Sequence, residues 1–200
     1  MQPSCQKSLP HAEGWVNYLA ADTRDCHDCI PHQHVVLARR CSWKHYGVGG
    51  SNFIVYLQQT TVQAFQDAGA PVASMQDVLG LGVYLTTAVK CGKTGYGIQA
   101  ATIVECSRLL ERELALFPHV QAYLLMGDVA MRAVNLITKR AGQARVIPAG
   151  STYKIRGQDY FFRGQRAFPS YLQVGPSFFI EKSKRKMIAE DIAAALRLAG

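Results

Sequence analysis

Residues 121–139 read QAYLLMGDVAMRAVNLITK, and the reading of this stretch decides the fold. Gln121–Met126 is a compact apolar run, preceded by Pro118 and closed by Gly127, which is the length and punctuation of a buried strand. His119, just after Pro118, reads as a surface loop residue. Asp128 supplies an N-cap, and Asp128–Lys139 then reads as a helix entered straight from the strand. A strand that turns directly into a helix is half of a β-α-β unit.

The same alternation extends in both directions. Upstream, apolar or small residues recur at Ile98, Ile103, Cys106, Leu110, Leu114 and Phe117, marking one face of a helix. Before that helix, Gly82–Val89 (GVYLTTAV) reads as a strand, and Ser51–Leu57 (SNFIVYL), after the GVGG breaker, as another. Downstream, Arg145–Pro148 reads as a short fourth strand, and Ser183–Leu198 as a closing helix with Ile188, Ile192 and Leu196 at spacing four. Strands alternating with helices predict an α/β protein with a parallel sheet covered on both faces. Such sheets bind ligands beyond the carboxyl ends of their strands, here after Leu57, Val89 and Met126. Between residues 151 and 171 the pattern changes to STYKIRGQDYFFRGQRAFPSY, which predicts a β-hairpin carrying Lys154, Arg156, Arg163 and Arg166. Tyr153, Tyr160, Phe161, Phe162 and Phe168 interleave with those cations, either as stacking partners for nucleic acid or as one apolar face of the hairpin.

Composition sets the class. The chain has 200 residues, 48% of them hydrophobic and 18% charged, which excludes general disorder. No apolar run approaches the roughly 20 residues of a membrane helix, and MQPSCQKSLPHAEGW at the start has no secretory leader pattern, so a cytoplasmic protein is expected. The net charge of +8 is uneven. Residues 101–200 hold 15 Lys/Arg against 8 Asp/Glu, whereas residues 1–100 hold 7 against 6. Within Arg132–Lys186, 12 basic residues face only Asp159 and Glu181. That imbalance points toward a polyanionic partner.

Six cysteines, at positions 5, 26, 29, 41, 91 and 106, are too few for a disulfide scaffold in a chain of this kind. Cys26-His27-Asp28-Cys29 is a CxxC pair, and 14 residues separate Cys91 from Cys106. Four thiolates in this arrangement can hold an iron–sulfur cluster, and the compact run Cys26, Cys29, His32 and His34 is a zinc alternative. Cys106 alone also reads as a buried small hydrophobe, and Cys5 and Cys41 as free thiols.

Taken in order, the CxxC pair, VYLTTAVKC (83–91), the helix segment with Cys106, Leu110, Glu113 and Leu114, LLMGDVA (124–130), the stretch RGQDYFFRGQRAFPSY (156–171) and the closing Pro176-Ser177 with Ile188, Asp191 and Ile192 resemble the iron–sulfur (family 4-like) uracil-DNA glycosylases. The resemblance runs from about Asp25 to Leu196 and leaves 1–24 as an N-terminal extension to a glycosylase-like domain over 25–200. It implies a three-layer α/β/α sandwich with a central, mostly parallel four-stranded sheet plus the β-hairpin. It further implies a structural 4Fe–4S cluster held by Cys26, Cys29, Cys91 and Cys106, and DNA, single- or double-stranded with a flipped base, bound by a monomer. The implied chemistry is hydrolysis of the N-glycosidic bond of uracil or another damaged base, in base excision repair.

The chain departs from the family where that chemistry is done. The acidic residue that handles water in the turn after the family's first strand is replaced by Gln58 or Gln59, and an amide orients water without acting as a base. The aromatic that stacks on the base matches Val72, and the asparagine that reads the uracil edge matches Thr87. The histidine of the family's HPS loop is missing from Tyr171-Leu172-Gln173-Val174-Gly175-Pro176-Ser177. Gln173 would line a rebuilt pocket, with Tyr171, Pro176, Ser177, Lys184 and Arg185 beside the DNA backbone. Two expectations therefore stand together: a glycosylase with a rebuilt pocket using Gln58, Gln59 and Thr87, or a catalytically inactive DNA- or RNA-binding module on the same fold.

Overall fold

The computed structural model describes residues 33–38, 52–90, 98–173 and 177–199, giving the backbone alone for 33–38, 52–58 and 177. The element order is β1 (Gln33–Ala38), α1 (Asn52–Asp67), α2 (Met75–Gly80), β2 (Val83–Thr87), α3 (Ala100–Leu114) and β3 (Val120–Met126). Then follow α4 (Asp128–Arg140), α5 (Thr152–Ile155), β4 (Tyr160–Phe162), β5 (Gln165–Ser170), α6 (Ser177–Ile180) and α7 (Lys182–Ala199). The α/β class read from the sequence is the class observed.

The sheet has the order β2-β1-β3-β5-β4. Strand β1 is antiparallel to both β2 and β3, β3 and β5 are parallel, and β4 runs back along β5. Among the described residues, the expected mostly parallel four-stranded sheet is thus a mixed five-stranded one with a single parallel pair. Even so, β2, β3 and β5 run in one direction, because each of β2 and β3 opposes β1. Their carboxyl ends, Thr87, Met126 and Ser170, therefore share one edge.

Alternation along the strands sends side chains into two apolar cores. Tyr84, Tyr123, Leu125 and Ala167 join Ile103, Cys106 and Leu110 of α3 and Val134 and Ile137 of α4 on one face. Val83, Ala122, Leu124, Met126 and Phe168 join Ala64 and Phe65 of α1, Val78 of α2 and Ile188 and Ile192 of α7 on the other. Helices cover both faces.

Two expected strands are absent for identifiable reasons. The run Ser51–Leu57 belongs, from Asn52 on, to α1, whose continuation buries Thr60, Thr61, Ala64 and Phe65 while Gln66 and Asp67 face outward. That is a period of 3.6, and it overrides the β-rich composition of the run's start. At Arg145–Pro148 no strand forms. The Asn135 amide donates to the Ile147 carbonyl at 2.8 Å and accepts from its N–H at 2.9 Å, doing for that backbone what a neighbouring strand would.

The hairpin is shorter than expected. Thr152–Ile155 forms a helical turn, and only β4 and β5 make the ribbon, joined at Arg163 and Gly164 with φ of 53° and 79°. Two positive φ values in succession match the right-handed twist of the flanking strands. The interleaved aromatics divide: Tyr160, Phe162 and Phe168 are core, whereas Tyr153 and Phe161 are exposed.

Candidate functional site

At the shared carboxyl edge, the β2, β3 and β5 termini and α1 bring polar groups onto the face carrying the second core. Ser170 ends β5, and its carbonyl accepts from the Gly127 N–H at 2.9 Å, locking β5 to the turn after β3. Gly127 has φ of 90°, a conformation glycine adopts without strain. Three residues on, Gln173 is 2% exposed, and its Nε2 donates to Thr61 Oγ1 of α1 at 2.7 Å. Its Oε1 has no partner among the described residues. Thr60 and Thr61 are themselves fully buried. Thr87, half-buried, follows Val83 and Leu85 at the strand period of two, which gives it the same face of the sheet.

On the opposite face Thr86 and Tyr84 turn toward α3. Glu113, 2% exposed, accepts from the Tyr84 hydroxyl at 2.5 Å and the Thr86 hydroxyl at 2.7 Å through Oε1, while the Lys90 ammonium meets Oε2. Lys90 also donates to Thr86 Oγ1 at 2.5 Å. This buried network ties β2 to α3 and to Lys90, three residues beyond the end of β2. In the sequence Glu113 stands out only as part of a motif, and neither Lys90 nor Thr61 stands out at all. A lone acid on an otherwise apolar helix face is the one signal that could have found the network.

The remaining expected site residues fall as follows. Gln58 lies inside α1, and Gln59 is exposed on the same helix, so neither occupies a strand-to-loop turn. Val72 is buried with Ala64, Phe65 and Val78. Tyr171 is half-buried beneath the Lys184 ammonium, 5.7 Å from its ring centre. Lys184 also pairs with Glu181 at 2.5 Å. Arg185 lies over the Phe178 ring at 5.3 Å and donates through Nη2 to Asp67 Oδ1 at 2.7 Å. That hydrogen bond holds the Asp67 carboxyl below its usual range, against a smaller opposing effect of burial. Lys184 thus holds Tyr171 to α7, and Arg185 ties α7 and Phe178 to α1. Ser177 opens α6. Pro176 lies outside the described residues, as do Cys26, Cys29, Cys91 and His32 of the metal expectations. His34 lies in β1 opposite Thr86. Cys106 is fully buried on α3 in the same apolar cluster as Ala88 and Val89. Among the described residues no three His, Cys, Asp or Glu side chains gather as a metal site.

The basic region is partly neutralised by the fold. Of its 12 cations, Arg132, Arg140, Arg156, Arg166, Lys184 and Arg185 form ion pairs, mostly with acids outside that stretch such as Asp67, Glu111 and Asp191. Asp191 is a buried acid on the core face of α7. It takes Ser170 Oγ at 2.6 Å and Arg156 Nη2 at 2.8 Å, and burial still pushes its carboxyl upward against those two partners. No described helix is long and apolar enough to cross a membrane.

No protein-family model matches the chain. Over 119 residues it is 29% identical to the Type-5 uracil-DNA glycosylase of Thermus thermophilus, a stretch covering 60% of this chain and 52% of that protein. The chain spans about half the length of this curated relative. In sequence, the protein is distantly similar to a uracil-DNA glycosylase.

Proposed function

We propose that the protein is a DNA base-excision hydrolase of the uracil-DNA glycosylase kind with a rebuilt base pocket. The observation that carries the reading is the bond between Gln173 and Thr61 beyond the end of β5, with a buried amide oxygen left unpartnered among the described residues, on the sheet edge where β2 also ends at Thr87. A flipped base presents N–H and C=O groups along its edge, and oriented amides and hydroxyls complement them. Gln58 or Gln59 positions the attacking water, and the departing base is stabilised by hydrogen bonds rather than by a dedicated acid. Asp191, the buried carboxylate nearest the end of β5, is engaged by Arg156 and Ser170 and is not offered to substrate.

A structural 4Fe–4S cluster on Cys26, Cys29, Cys91 and Cys106 belongs to the same proposal, with zinc on Cys26, Cys29, His32 and His34 as its rival. Cys106 fits it: the thiol is wholly shielded from water and sits in one apolar cluster with Val89, two residues before Cys91. Such a cluster, when bound, ties chain segments together and takes no part in bond cleavage. About four irons per chain, lost on Cys106→Ser, would support the cluster, and stoichiometric zinc would overturn it.

The second reading, a catalytically inactive DNA- or RNA-binding module, is favoured by the burial of Val72 in the core and by Gln58 and Gln59 lying within α1 rather than in a turn after a strand. Oligonucleotides carrying uracil, hypoxanthine or xanthine, single- and double-stranded, followed by alkali to cut abasic sites, decide between the two. Cleavage at any lesion supports the enzyme. Salt-dependent binding without cleavage supports the module.

A further inference from the structure

Half of the cations in the basic stretch have no acid partner among the described residues, and three of them are gathered by the fold. Lys182 and Lys186 stand four residues apart on α7, both exposed, in a stripe continued by Glu190. Arg156 reaches that stripe from the end of α5. Its Nη2 donates to the Met187 carbonyl at 2.9 Å and to Glu190 Oε2 at 3.0 Å, besides its bonds to Asp191. Arg156 thereby neutralises the stripe's acid and holds α5 beside Lys186. The turn of α5 carries Lys154, exposed, and Tyr153, 71% exposed. Ile180, 76% exposed, lies two residues before Lys182. By contrast, Lys184 and Arg185, in the same turn as Lys182, are engaged by Glu181, Tyr171, Asp67 and Phe178.

The placement of these cations has a local cost. Basic residues crowd the first turn of α7, where the positive end of the helix macrodipole disfavours them, and that turn holds no acid. Lys184 and Arg185 recover this through their partners, but Lys182 and Lys186 have none among the described residues. An unpaired cation row flanked by an exposed aromatic ring and an exposed aliphatic side chain complements a polyanion that also carries flat apolar groups.

We propose that Lys182, Lys186 and Lys154, with Tyr153 beside them, form a nucleic-acid backbone track along α7, and that Lys184 and Arg185 act only as internal fasteners. The proposal rests on the reading of the chain as a DNA-binding protein and says which surface binds. The three lysines contact phosphates, so each contributes to counterion release. The track starts at Lys182, in the first turn of α7.

The test is the salt dependence of binding to a fluorescent 20-base-pair duplex and to its single strand. For the variant with Lys154→Gln, Lys182→Gln and Lys186→Gln, the slope of log K against log salt should fall by about 2 to 3, at roughly 0.9 for each duplex phosphate that is no longer neutralised. A control with Arg108→Gln, Arg112→Gln and Lys139→Gln removes the same charge elsewhere and should leave the slope within one unit of the parent. Circular dichroism confirms that both variants fold. If the parent binds and the track variant keeps the parent's slope, the track is wrong while the DNA-binding reading survives. If the parent binds neither strand nor duplex, both fail.

Discussion

Gln173, in the segment after β5, donates its side-chain N–H to Thr61 of α1 across a sequence separation of 112, at 2.7 Å and wholly out of water. The bond fixes the loop after β5 against α1 and leaves one amide oxygen facing no described partner. Thr61→Val would strand the Nε2 donor and should cost about 1–3 kcal/mol, whereas Thr61→Val with Gln173→Met removes both halves in similar volume and should be nearly neutral. Urea unfolding of the two variants checks this. A double variant no more stable than the single one would mean that the hydrogen bond contributes little.

Glu113 and Lys90 form the second buried polar contact, on the opposite face of β2. Lys90→Met leaves a carboxylate at 2% exposure with two hydroxyl donors and no cation, which should destabilise by about 3–5 kcal/mol. Adding Glu113→Gln neutralises the stranded charge, keeps an oxygen for Tyr84 and Thr86, and should recover much of the loss. Thermal melts of the parent, the single variant and the double variant provide the comparison, with the double expected in between.

How far the sequence can be read depends on the range of the interactions involved. β2, β3, α3, α4 and α7 are legible because each carries its own hydrophobic period, as in Ile103, Cys106 and Leu110 or Ile188 and Ile192. The stretch Asn52–Leu57 reads wrongly as a strand because β-branched and aromatic residues dominate its start. The helical period shows only further along, at Thr60, Thr61, Ala64 and Phe65. Strand β1 escapes notice because QHVVLA borders a polar, turn-rich stretch, and its antiparallel place between β2 and β3 is a tertiary choice. In the site, Thr87 and Gln173 are singled out only by the family motifs they align with, not by any local pattern. Thr61 is not, since nothing local distinguishes a helical threonine that meets a glutamine 112 residues later. Likewise, the charge of the basic stretch is visible, but its neutralisation by Asp67, Glu111 and Asp191 depends on packing.

Asp67 and Arg185 join α1 to α7, and their pairing has a definite pH signature. The Asp67 carboxyl lies lower in the folded protein than its ordinary value of 3.8, chiefly through the Arg185 hydrogen bond. Its stabilising contribution is therefore present above the unfolded pKa and is lost as the pH falls through the folded one. Asp67→Asn should lower the melting temperature at pH 7, and the difference from the parent should shrink to nothing in strong acid. A difference that persists unchanged at low pH would show that the aspartate acts through packing instead.

Gln58 and Gln59 can be told apart by their places on the helix that carries both. With 3.6 residues per turn, position 58 lies on the same side of the α1 backbone as Thr61, which bonds Gln173, whereas position 59 lies well around the helix and is exposed. If water is activated at this edge, a carboxylate at position 58 can take its proton and an amide cannot. Gln58→Glu should then raise the single-turnover rate of base release by on the order of 10²-fold, the lower end of what a positioned general base supplies. Gln59→Glu should leave it within about twofold of the parent, since a base must come within hydrogen-bond reach of the proton it takes. Equal rates for both variants on the best lesion substrate would remove the α1 glutamines from the chemistry and favour the binding module.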